Sequence, residues 1–135
     1  MIVVDASVVV DLLLGPGSDA GDTLAEHLVQ REVVCSPHLV DAEVGQTLRR
    51  FVLRGELSGS RAVSMVEDLV NVPIRRFPHT GLLGRAFELR SNVTVYDGLY
   101  LALAEALESP LLTGDAALAD VPGCRAAVDV VVTST

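Results

Sequence analysis

Short apolar runs alternate along the chain with longer stretches in which apolar residues recur at helical spacing. Ile2–Val4 is a continuous apolar triplet of the kind a strand buried on both faces requires. Ala6–Leu14 follows with a helical pattern and is stopped by Gly15-Pro16-Gly17. Residues 20–30 predict a second helix and residues 33–35 a second strand. Ser36-Pro37 has the chemistry of a helix start, a capping hydroxyl followed by a proline tolerated in the first turn. It predicts a long helix reaching about Arg54 and ended by Gly55. Residues 58–71 predict another helix, 72–77 a strand closed by Pro78, and 82–90 a further helix. Residues 96–108 are apolar on nearly every face, which predicts a central helix, with Pro110 blocking its continuation. Leu111–Thr113 predicts a strand, residues 115–120 a short helix and 127–132 a last strand.

This order predicts an α/β fold, a parallel sheet of four to five strands flanked by helices on both faces. The chain shows no repeat, linker or low-complexity segment, and its 135 residues suffice for one core, so residues 1–135 are expected to form a single domain.

Composition narrows the chemistry. Aromatic residues make up only 4% and Trp is absent, so the core must be built from Val, Leu and Ala. So few aromatics argue against a stacking platform for bases. There are 18 acidic residues against 10 basic ones, a formal charge of −8, and every basic residue is Arg. Bulk charge therefore excludes a diffuse nucleic-acid binder. Any such contact has to be local, through an Arg cluster or metal ions. An acidic body also suits a basic protein partner, or serves solubility alone. Cys35 and Cys124 lie far apart without a CxxC pair, which speaks against zinc, and Cys35 reads as core. The first residues carry no basic lead and no long apolar run, so neither a signal peptide nor a membrane span is expected, and the cytoplasm is the expected compartment.

Four carboxylates stand out by position. Asp5 directly follows the first strand, and Asp115 follows Leu111–Thr113 by two residues. Asp97 opens the apolar central helix, and Glu43 lies about two turns into the helix after the second strand. Ligand chemistry in open parallel sheets gathers beyond the carboxyl ends of the strands, where these groups can converge. Singly, each has an ordinary alternative. Asp5 and Asp115 fit helix caps, Thr94-x-x-Asp97 fits a capping box, and Glu43 fits a solvated helix face. Together, four carboxylates with no Lys to neutralise them resist burial, and a divalent cation is the natural compensator. Oxygen-only ligands suit Mg²⁺ or Mn²⁺.

Val4-Asp5-Ala6-Ser7, the segment from Pro37 through Glu43-Val44, Tyr96-Asp97-Gly98-Leu99-Tyr100-Leu101-Ala102-Leu103-Ala104 and Leu112-Thr113-Gly114-Asp115 together resemble PIN-domain proteins of the VapC toxin type. The resemblance runs over nearly the whole chain. It implies RNA endonuclease activity with Mg²⁺ or Mn²⁺, a cognate VapB-type antitoxin and a homodimer. Its acidic residues fall on Asp5, Glu43, Asp97 and Asp115, and its supporting hydroxyl on Thr113. Two positions depart from the pattern: Gly98 stands where Ala is commoner, and Leu118 stands where some relatives carry a further acid, with Asp120 two residues later.

For phosphodiester hydrolysis this reading makes Asp5 and Asp97 the principal metal ligands, with Asp115 and Glu43 completing the site directly or through water. Ser7 and Thr113 then orient carboxylates, unless they are ordinary turn hydroxyls. Arg50 and Arg54 share a helix face with Glu43 at i+7 and i+11, so they are candidates for RNA phosphates, against a plain solvated edge. Arg75-Arg76 is a second candidate patch. His27, His38 and His79 lack ligand spacing, and Asp11, Asp41 and Asp68 read as solvated. A receiver domain would need a Lys at the acidic cluster, a haloacid-dehalogenase-type phosphatase an Asp-x-Asp after the first strand, and a nucleotide enzyme a Gly-rich loop. None is present. The remaining rival is a PIN-like interaction module without catalysis.

Overall fold

The computed structural model describes residues 1–134; Thr135, included in the expected single domain, lies outside the described residues. Among the described residues, β1 (Ile2–Val4), β2 (Val34–Pro37), β3 (Ile74–Phe77), β4 (Leu111–Thr113) and β5 (Val128–Val130) form one parallel sheet in the order β3-β2-β1-β4-β5. The helices are α1 (Ala6–Leu14), α2 (Asp19–Val29), α3 (Leu39–Leu53), α4 (Gly59–Asn71), α5 (Leu83–Glu88) and α6 (Val95–Leu107), with 3₁₀ turns at Thr80–Leu82 and Ala116–Asp120.

The chain steps outward from β1 through β2 to β3, then returns past β1 to β4 and β5. Parallel crossovers are right-handed, so the two directions place their connections on opposite faces of the sheet. Accordingly α1, α2, α3 and α4 pack on one another, while α6 lies on β1, β2 and β4 and carries α5. The reversal falls between β1 and β4. Their carboxyl ends bound the crevice in which such sheets build their sites.

The core is aliphatic, as the composition requires. Val3, Val4, Val8, Val9, Leu24, Leu101 and Leu111 are fully buried. Residues 98–104 of α6 are buried without a break, which makes it the expected central helix. Gly98 has a packing reason, because a Cβ there would stand 3.0 Å from the Ala86 carbonyl oxygen and 3.1 Å from the Ala86 Cβ. The glycine lets α5 lie directly on α6. Leu118 is likewise core, at 3% exposure, while Asp120 is exposed.

Three expectations need correction. Ser36 and Pro37 do not open a helix. They end β2, and α3 begins at Leu39. Instead of capping, the Ser36 hydroxyl donates to the Val4 carbonyl at 2.6 Å and ties the ends of β1 and β2 together. Asp11 is not solvated but 0% exposed, accepting from the Ser134 N–H at 2.8 Å and the Ser134 hydroxyl at 3.0 Å. Asp41 takes a bidentate grip from Arg76, with Nε and Nη2 each 2.9 Å from a carboxylate oxygen. Asp68 is exposed as expected.

Candidate active site

Asp5 is the single residue between β1 and α1, held at the crevice by its neighbours on both sides. Its side chain caps α1, accepting from the Val8 N–H at 3.3 Å. The Ser7 hydroxyl donates to Asp5 Oδ1 at 2.6 Å, and the Thr113 hydroxyl donates to Asp5 Oδ2. Each hydroxyl also accepts a backbone bond from the β4 turn, Ser7 from the Gly114 N–H at 3.1 Å and Thr113 from the Asp115 N–H at 3.0 Å. Two hydroxyls thus stitch the end of β4 to the start of α1 through one carboxylate. Asp5 thus caps α1 as one reading of the sequence expects, while its two carboxylate oxygens accept from Ser7 and Thr113.

The other acids arrive from separate elements. Asp97 lies in the first turn of α6, where the Thr94 hydroxyl accepts its N–H at 3.1 Å and caps the helix. Glu43 projects from the second turn of α3 and accepts from the Tyr100 hydroxyl at 2.6 Å. Asp115 is exposed and caps the last 3₁₀ turn by accepting from the Ala117 N–H at 2.9 Å.

Their electrostatics are those of unneutralised charge. Burial pushes the Asp5 carboxyl above the usual carboxylate range, against the hydrogen bonds from Ser7 and Thr113 that pull it down. Burial also raises Asp97, and the charges of Asp115 and Asp5 add to it. Glu43 is raised by burial first. The Tyr100 hydrogen bond opposes that shift, and the charges of Asp97 and Asp5 reinforce it. The Tyr100 hydroxyl is raised in turn, by burial and by its bond to Glu43. Among the described residues, no ion pair involves Asp5, Glu43, Asp97 or Asp115. The four acids therefore share one edge of the sheet and one negative field. Among the described residues, no three acidic, His or Cys side chains converge closely enough to hold an ion as they stand. All-oxygen donors, mutual repulsion and the lack of a paired Arg fit a hard divalent cation that draws the side chains together.

The arginines divide. Arg50 and Arg54 are exposed on α3, with Arg50 Nη2 donating to the Thr47 hydroxyl at 3.1 Å. At a rise of about 1.5 Å per residue they stand roughly 10 and 16 Å from Glu43 along the helix, away from the carboxyl edge. Arg75 is exposed, but Arg76 is occupied by Asp41 and by the carbonyls of Leu69, Val72 and Ile74, which removes half of the second candidate patch. His27 pairs with Glu32, and the His38 and His79 rings meet edge to face at 6.4 Å between centroids. Tyr100 had not been singled out from the sequence. Its signal was available, since it lies three residues after Asp97 on the same helix face, but it was hidden in an apolar run.

A PIN domain model matches residues 2–123. The chain is 47% identical over 122 residues to Ribonuclease VapC1 of Mycobacterium tuberculosis, covering 90% of each chain. In fold it is similar to the crystal structure of PAE2754 from Pyrobaculum aerophilum, with a TM-score of 0.69 at 23% identity over 96% of this chain and 83% of that one. It is similar also to VapBC2 from Rickettsia felis bound to a DNA fragment from their promoter, with a TM-score of 0.70 at 15% identity over 96% of this chain and 98% of that one. The two structures speak for the fold, and the family model and the sequence identity speak for descent. The chain belongs to the PIN-domain family and, within it, to the VapC ribonucleases.

Proposed function

We propose that this chain is a metal-dependent endoribonuclease, the toxin of a type II toxin–antitoxin pair, and that Asp5, Glu43, Asp97 and Asp115 form its catalytic centre. The observation that carries the reading is the set of four carboxylates at the sheet reversal, with three of them raised by burial and none ion-paired among the described residues. Folds tolerate that arrangement for a ligand that repays it.

Asp5, Asp97 and Asp115 would hold Mg²⁺ or Mn²⁺, with Glu43 a direct ligand or one acting through water. Such an ion supplies an acidified water and charge neutralisation at the phosphate. The chain's own residues set the frame. Ser7 and Thr113 fix the Asp5 carboxylate in its plane, Tyr100 fixes Glu43, and the Thr94 cap fixes the start of α6 beneath Asp97. Arg50 and Arg54 supply exposed positive charge for flanking phosphates of the RNA.

A VapB-type antitoxin is the natural partner, and a homodimer in the cytoplasm the working assembly. Among the described residues no helix is long and apolar enough to cross a membrane. For the antitoxin, α3 and α4 offer a groove of about 420 Å³ lined by Gly45, Val66, Leu69 and Val70, with Asp41 and Arg76 at its side. Apolar side chains of a disordered segment would fill it, and a basic residue of the same segment would enter the acidic cleft.

The test is cleavage of a mixed RNA substrate by purified protein with Mn²⁺, with chelator, and with the protein encoded beside it. Cleavage that needs the ion and stops with that partner is the expected result. A protein that binds the partner yet leaves RNA intact under every ion would identify an interaction module instead.

A further inference from the structure

Asp11 takes no part in the proposed centre, yet its carboxylate is fully buried. Both of its oxygens are satisfied by one residue 123 positions away, Ser134, through the backbone N–H at 2.8 Å and the hydroxyl at 3.0 Å. A buried carboxylate stripped of its donors is costly, so Ser134 is held in place. Residues 131–134 form a strap. The Val131 N–H donates to the Thr113 carbonyl at 2.9 Å. The Val132 N–H donates to Asp19 Oδ2 at 2.9 Å, and the Ala20 N–H donates back to the Val132 carbonyl at 3.0 Å. Between these anchors Thr133 lies over Gly114. A Cβ added at Gly114 would overlap the Thr133 methyl and stand 3.1 Å from Ser7 Oγ.

The contacts close a ring. α1 carries Asp5 at its cap and Asp11 in its second turn. Asp11 holds Ser134, the strap presses Thr133 on Gly114, Gly114 donates to Ser7, and Ser7 donates to Asp5. The strap also lies beyond residues 2–123, the span that the PIN domain model matches. We infer that residues 131–134 are a strap that seats the Gly114–Asp115 turn against the first helix, and that Asp11 is a positioning residue for the Asp5–Asp115 half of the site. The inference rests on the proposed function, because positioning matters only if that half binds an ion.

Ser134→Ala and Asp11→Asn in the full chain test it, with Thr133→Ala as a milder variant that keeps both anchors. Three readouts are needed on folded protein well below its melting temperature: amide hydrogen exchange at Gly114 and Asp115 without metal, Mn²⁺ affinity by calorimetry, and cleavage of a short oligoribonucleotide. We expect faster exchange at the two amides, Mn²⁺ binding weaker by roughly tenfold, the low end for outer partners of metal ligands, and a fall in kcat with KM unchanged. A lower melting temperature with unchanged exchange, Mn²⁺ affinity and kcat in the folded protein would overturn the inference and leave the strap as a stabiliser. If Asp11→Asn fails to fold, Ser134→Ala and Thr133→Ala still decide. If wild-type protein neither binds Mn²⁺ nor cleaves RNA, the proposed function fails, while the exchange at Gly114 still reports whether the strap seats the turn.

Discussion

The two ends of α6 hold carboxylates in opposite conditions. Asp97, at the start, has burial and two nearby carboxylates acting on it and no ion pair among the described residues, and its pKa is raised. Glu105, two turns on, has a side chain only 5% exposed, yet its pKa is lowered to about 2, first by its hydrogen bonds from Arg85. Arg85 Nε and Nη2 donate to its oxygens at 2.7 and 3.0 Å, and the Arg125 N–H adds a third bond at 2.7 Å. The Glu105 end shows how this protein neutralises a buried acid when stability is the purpose. The Asp97 end has no such partner among the described residues, and the proposed function reads its repulsion as charge left for a ligand.

Substituting each acid by its amide should separate these roles. Asp97→Asn keeps the shape and removes the charge, so RNA cleavage should fall by roughly 10³-fold or more, about 4 kcal/mol of barrier, with the fold intact by circular dichroism. Cleavage at wild-type rate by purified Asp97→Asn would remove this residue from the centre. Glu105→Gln should leave turnover per folded molecule unchanged and cost stability instead. The shift from the ordinary value of 4.5 to about 2 corresponds to about 3 kcal/mol near neutral pH. The sign is that of a depressed acid. The contribution is complete above pH 4.5 and is lost as pH falls towards about 2. Urea melts of both proteins from pH 7 to pH 3 should therefore converge in acid, and a constant gap would show that packing, not charge, is what Gln loses.

These contrasts also explain what was legible in the sequence. The strands and helices follow from apolar periodicity, and Asp5, Asp97 and Asp115 from their places just after strands or at a helix start. Ser36-Pro37 misled because a hydroxyl before a proline suits a strand end as well as a helix start, and only the Val4 carbonyl across the sheet decides between them. Asp11 follows Val8 by three residues and so shares its buried face, but its donor lies at the other end of the chain. The Arg85 partnership of Glu105 is equally non-local. What escaped was polar pairing over long sequence distances, which periodicity does not encode.

The raised group gives the inverse pH effect. Without metal, the ionised Asp97 carboxylate costs stability at neutral pH, and protonation relieves that cost as pH falls through its raised folded pKa. Metal-free Asp97→Asn should thus be at least as stable as wild type at pH 7, with its advantage shrinking in acid. Added Mn²⁺ should reverse the ranking. A ligand at 100 times its Kd stabilises by about 2.7 kcal/mol, and the amide variant should gain less. Equal Mn²⁺ shifts in thermal melts of the two proteins would place the ion away from α6.

The smallest effect belongs to Tyr100, which sits between the two regimes. It is 1% exposed, one turn beyond Asp97, and its hydroxyl donates to Glu43. Tyr100→Phe keeps the ring in the core and deletes that bond. Because Glu43 is only half-buried, the freed carboxylate can turn to water, so the stability change should stay near 1 kcal/mol. If Glu43 helps to hold the ion, losing its fixed orientation should still weaken Mn²⁺ binding and lower kcat by roughly tenfold, with KM for RNA unaltered. If Glu43 were only a helix residue that happens to face Tyr100, the same substitution would move stability and leave ion binding untouched. Calorimetric Mn²⁺ titration of Tyr100→Phe beside Glu43→Gln distinguishes the two. The tyrosine variant should show part of the loss seen with the glutamine variant, and the double variant no more than Glu43→Gln alone, since the hydroxyl acts only through the carboxylate it orients.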